Sequence, residues 1–129
     1  MAMAGAALVE AFERCTLPAQ DFHHAQHVEV AWWYLRAEPA PRALARFAEA
    51  LKRFAAANDA AQRYHETITW AFVFLINERM ERLGREATWE QFIASNLDVL
   101  EKRCLLRYYR EETLASELAR RVFLLPDRL

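Results

Sequence analysis

Residues 21–41 read DFHHAQHVEVAWWYLRAEPAP, and this stretch decides the fold class. Val28, Ala31, Trp32 and Leu35 recur at three- and four-residue intervals, the spacing that gathers apolar side chains on one helix face. Asp21 is an acceptable N-cap, because a short carboxylate can accept from the free N–H groups of a first turn. Pro39 and Pro41 stop the helix, since proline has no N–H to donate and crowds the residue before it. A helix bounded in this way must bury its apolar stripe against other helices.

The same pattern continues on both sides. Residues 3–15 predict a short helix with Leu8, Ala11, Phe12 and Cys15 on one face, broken by Pro18. Residues 41–57 predict a third, with Leu44, Phe47, Leu51 and Phe54 on one stripe and Pro41 in the first turn. Asn58-Asp59 marks a turn or a new cap. A longer fourth helix runs to about Arg82, its buried face carrying His65, Ile68, Phe72, Leu75 and Ile76, and Gly84 terminates it. Thr88-Trp89-Glu90-Gln91 has the form of a capping box and opens a helix to about Ser95. Residues 96–107 leave room for another short helix, and a last one spans about 111–122 before Pro126. The expected architecture is an all-α, single-domain bundle of five to seven helices over residues 1–129, with its core in about 22–127.

Composition narrows the function. The 129 residues suit one domain, and 54% hydrophobic content supports a packed core. With Gly5 and Gly84 the only glycines, a turn-rich sheet protein is excluded. Net charge is −1 and arginines alternate with glutamates, as in Glu78-Arg79-Met80-Glu81-Arg82, so the basic face of a nucleic-acid binder is missing. The richest apolar run, 68–76, is interrupted by Thr69 and is about half the length a membrane span needs. Glu10, Glu13 and Arg14 arrive too early for a signal peptide. Cys15 and Cys104 stand in no metal or redox spacing. The expected setting is cytoplasmic, with neither nucleic acid nor membrane as partner.

The four histidines carry the chemistry. His23, His24, His27 and His65 all fall near the starts of two expected helices. His24 and His27 are three residues apart, and His23 and His27 four apart; either spacing places two imidazoles on one helix face. If the second and fourth helices pack along their stripes, His65 approaches the His24/His27 pair. Three neutral imidazoles suit a divalent transition metal, zinc first, with copper and iron as alternatives. Glu66 then stands as general base or as a partner orienting a ligand, and Tyr64 as a polar aromatic beside it. The bland reading gives each histidine a cap or a backbone carbonyl and no metal at all. Trp32-Trp33-Tyr34 and the aromatics of 70–74 could line a pocket, though aromatics at helical spacing mostly pack in cores. Tyr108-Tyr109 could aim a hydroxyl into a site, and Cys104, beside Arg103 and Arg107, could be an activated thiol or an inert buried one. No Gly-rich phosphate loop or nucleophile elbow is present.

On these residues the chain resembles a family of short bacterial all-helical proteins of uncharacterised function. The family pattern F-x-H-x-x-H-x-x-x-A-W-x-Y-L is met by Phe22, His24, His27, Ala31, Trp32, Tyr34 and Leu35. Its second motif, Y-H-E-T-[I/L]-T, is met by Tyr64-His65-Glu66-Thr67-Ile68-Thr69. A later stretch with Tyr108-Tyr109, Leu114, Ser116, Ala119-Arg120, Phe123 and Pro126-Asp127 is also similar. The resemblance implies a helical fold, puts weight on His24, His27, His65 and Glu66, and marks His23 as a departure from the pattern. It implies no activity or cofactor.

Three functions compete at this point. The first is a small metal-binding protein, in its fuller form a metalloenzyme, using His24, His27 and His65, with Glu66 as base or as an orienting partner and Tyr64 or Tyr109 placing a substrate. The second is a small-molecule binder or non-metal enzyme using the same His/Glu/Tyr group, with tryptophans lining the pocket. The third is a helical interaction module, homo-oligomeric or pairing with another subunit, whose exposed face would include Val30 and Trp33.

Overall fold

Alanine, leucine, glutamate and arginine lose little side-chain freedom in a helix, and the chain is helical wherever they concentrate. The computed structural model describes residues 4–128, and among these there is no strand. The α-helices are α1 (Gly5–Glu13), α2 (His24–Ala37), α3 (Ala40–Ala57), α4 (Glu66–Leu83), α5 (Trp89–Ser95), α6 (Glu111–Leu114) and α7 (Glu117–Arg121). Short 3₁₀ turns at Ala19–Asp21, Ala61–Arg63, Leu97–Leu100 and Lys102–Arg107 link them. The all-α bundle expected from the periodicity is the fold observed. No helix among the described residues is long and apolar enough to cross a membrane.

Helix α2 is the hub, packed on α1, α3 and α4. Its Val28, Val30, Ala31, Trp32 and Leu35 are all buried. Phe12 of α1 centres an aromatic cluster, stacking on Phe22 at 4.8 Å between ring centroids and meeting Phe54 at 5.4 Å and Phe47 at 6.0 Å. Each such ring stabilises the fold by about 1.5–3 kcal/mol through burial alone. Glu29, buried on α2, ties α1 to it by accepting from the Gly5 N–H (2.8 Å) and the Trp33 indole N–H (3.2 Å).

Several boundaries differ from expectation, each for a local reason. Asp21 closes a 3₁₀ turn, and the extended residue His23 stands at the N-cap of α2 instead. There the Gln26 side chain accepts from the His23 backbone N–H at 2.9 Å. The fourth helix does not begin after Asn58-Asp59. Asp59 takes a left-handed φ of 54°, a 3₁₀ turn follows, and α4 starts at Glu66 with His65 as its N-cap. The last expected helix is two, because the Ser116 hydroxyl accepts from the Ala119 N–H (3.1 Å) and starts α7 afresh. Gly84, at φ 115°, ends α4 as expected. The Thr88 capping box is formed, with Thr88 Oγ1 accepting from the Gln91 N–H at 3.1 Å.

The expected exposed face at Val30 and Trp33 does not exist. Val30 is fully buried, and Trp33 packs edge-on against Trp32. Large apolar side chains are exposed elsewhere, at Phe74 and at Leu118, Val122 and Leu125 near the end of the chain.

Candidate ligand pocket

The packing of α2, α3 and α4 leaves a cavity of about 450 Å³. Its apolar wall is built mainly by Phe22, Val28, Phe47, Leu51, Phe54 and Phe72. All four histidines line it, with Tyr64, Asn58, Thr69, Arg63 and Lys102. The starts of α2 and α4 do converge on one space. A cavity of this size holds a small organic molecule.

The histidines are not equivalent. His24, the first residue of α2, bonds the Val99 carbonyl through Nε2 at 3.0 Å and leans on Phe72. Burial lowers its pKa, only partly offset by the Val99 bond, and Lys102 lowers it further. His65 uses both ring nitrogens. Nδ1 accepts from the Ile68 N–H (3.1 Å), which fixes the proton on Nε2, and Nε2–H donates to the Leu114 carbonyl (2.7 Å). The His65 ring therefore pins the start of α4 to the C-terminal region.

His27 differs from both. Its ring stacks on Phe22 with centroids 4.0 Å apart, and no hydrogen bond to another described residue engages its nitrogens. Burial, with smaller contributions from His24 and Lys102, pushes its pKa down to about 3. At neutral pH it is an uncharged imidazole on the cavity wall, offering one donor and one acceptor. His23 is exposed at the rim.

Tyr64 lines the cavity, but its hydroxyl donates to Glu66 Oε1 at 2.6 Å. Burial first, then the Glu66 bond, raises the phenol pKa. The Lys52 ammonium sits 5.1 Å from the Tyr64 ring centroid. Glu66 is outside the lining, so it acts on the site through Tyr64. Tyr109 is buried elsewhere, donating to the Leu124 carbonyl (2.8 Å). The tryptophans are also elsewhere: Trp32 packs against Trp33, Trp89 and Phe92, and Trp70 stacks on Phe123. Phenylalanines take the wall positions because α2 turns Trp32 toward α5 and Val28 and Ala31 toward the cavity. Cys104 is buried, and that burial raises its thiol pKa despite the nearby Arg107.

As a ligand set for zinc, copper or iron, His24, His27 and His65 share a cavity but not their nitrogens. His65 has no lone pair left, and His24 spends Nε2 on Val99. Among the described residues, no group of three or more His, Cys, Asp or Glu is arranged to hold a metal ion.

Sequence reasoning missed Arg63, Lys102 and Asn58. None stands in a motif, and only the fold brings residues 58, 63 and 102 to the wall that holds residue 27. Compared with family models, curated proteins and solved structures, the chain matches none.

Proposed function

We propose that this protein binds a small organic molecule in the cavity between α2, α3 and α4. One observation carries this: a neutral His27 on the wall of a 450 Å³ cavity, its ring nitrogens engaged by no other described residue. His27 is only partly covered and bonds no other described residue, so a ligand can reach its nitrogens, and a hydrogen bond made there against an apolar wall is less weakened by water than one on the open surface. The phenylalanine wall supplies apolar contact, and His24, Tyr64 and His65 are held in place by Val99, Glu66 and Leu114. A rigid polar group on an apolar wall is the ordinary make-up of a small-molecule site.

A metal held by His24, His27 and His65, with Glu66 as base, is the competing function. The neutral rings of His24 and His27 support it, while the carbonyl bonds of His24 and His65 oppose it. One experiment separates the two. The untagged protein is screened by thermal denaturation against a metabolite library, and its metal content is measured after incubation with zinc, copper and iron. Binding of an organic ligand predicts a compound that raises Tm in the wild type and not in His27→Phe, with metal below about a tenth of an equivalent. Stoichiometric metal lost in His24→Ala and in His27→Ala would replace this proposal with the metal site.

A further inference from the structure

The charge of the cavity lining is one-sided. Arg63 and Lys102 are among its residues, and no aspartate or glutamate is. Arg63 and Lys102 both lie exposed at its edge. Lys102 stands close enough to act electrostatically on both His24 and His27, so cation and imidazoles share one end of the space. Two carboxylates of the neighbourhood stand outside the lining. Glu66 is bonded to the Tyr64 hydroxyl, and Glu101, which also acts on His24, is outside the lining. Phenylalanine and aliphatic carbon make up most of the rest of the wall, with Phe22 and Phe72 standing against the rings of His27 and His24 and with Asn58, Tyr64 and Thr69 as further polar residues.

We infer that the ligand is an apolar molecule with one anionic head, a hydrophobic carboxylate, its head beside Lys102 and the His27 N–H and its body against Phe22, Phe54 and Phe72. This rests on the small-molecule reading above and deepens it. Lys102, and not Arg63, is the cation whose charge reaches His24 and His27, and this one ammonium with the His27 N–H suits a single negative charge, since a multiply charged phosphate calls for bidentate arginines or several cations at that place. An imidazole N–H and an ammonium bind a carboxylate by charge-assisted hydrogen bonds, which a neutral alcohol of the same body forms only weakly. A cationic ligand meets repulsion at the same place.

The test uses three ten-carbon probes of one shape, decanoate, decanol and decylammonium, titrated calorimetrically into the full chain and into Lys102→Glu. Lys102 is exposed, so the variant is expected to fold, which circular dichroism checks. The expected result is a decanoate Kd at least about tenfold below that of decanol, no measurable binding of decylammonium, and loss of the decanoate preference in Lys102→Glu with decanol affinity unchanged. Equal binding of decanoate and decanol, or a preference that survives in Lys102→Glu, would overturn the anionic head and leave the small-molecule pocket standing. Failure of all three probes to bind, with no stabilising compound in the metabolite screen, would overturn both.

Discussion

His27 makes stability depend on pH in a definite direction. Unfolded, its ring takes a proton near pH 6.5; folded, it does not until about pH 3. Between those values the unfolded chain holds more protons, so stability falls as pH falls and is regained as pH rises. His24, also lowered, adds to the same trend. Asp98 has the opposite kind of group but a separate window. The Arg79 guanidinium, 2.8 Å away, holds its pKa below the usual 3.8, so its contribution is lost only under still more acid conditions. Urea denaturation from about pH 7 to pH 4 is expected to show a loss of on the order of 1 kcal/mol per pH unit below pH 6. In His27→Phe, which keeps a ring stacked on Phe22, that slope should flatten. An unchanged slope would mean that another group titrates.

At the scale of elements, the residues of the Tyr64–Thr69 motif hold the start of α4 to the end of the chain. Thr67 is fully buried, its hydroxyl directed at the Ala119 (2.7 Å) and Val122 (2.8 Å) carbonyls while accepting from the Leu124 N–H (3.1 Å). Thr67→Val keeps the volume and leaves these groups unpaired. It is expected to lower stability by about 2–3 kcal/mol in urea denaturation. Thr88→Ala, at a solvent-exposed cap, should lower it by about 1 kcal/mol. The reverse order would show that the motif does not anchor the C-terminal segment. This contrast also marks what the sequence made legible. Stripes, proline stops and the Thr88 box are local; α3 and α5 lie where those signals put them, and α2 starts two residues later than its expected Asp21 cap. The start of α4 was not legible, because residues 60–63 favour a helix and only the left-handed Asp59 and the His65 cap delay it. The bonds from His65 to Leu114 and from Thr67 to Ala119 join residues 49 and 52 apart, which no periodicity encodes.

For the whole molecule, the histidines illustrate the same boundary between local and distant information. Their meeting around one space was readable from two helix starts and two buried stripes. Their division of labour was not: His65 serves as a structural pin, His24 is tied to Val99, and His27 bonds no other described residue, because the partners lie in the 3₁₀ turn Leu97–Leu100 and at the end of α6. A cavity kept for binding can be filled without harm to the fold. Ala31→Leu, on the cavity face of α2, should leave Tm unchanged or raise it while abolishing ligand-induced stabilisation. A loss of stability from overpacking, of about 1–3 kcal/mol, would indicate that the space is narrower than described. The most direct test of the central claim is long-range ¹H–¹⁵N NMR of the imidazole rings as a ligand found in the metabolite screen is added at pH 7. The account predicts that His27 begins as a neutral ring and that its nitrogen resonances shift the most on binding, while those of His65 keep their values. A His27 already protonated at pH 7, or a ring that ignores a ligand known to bind, would contradict it.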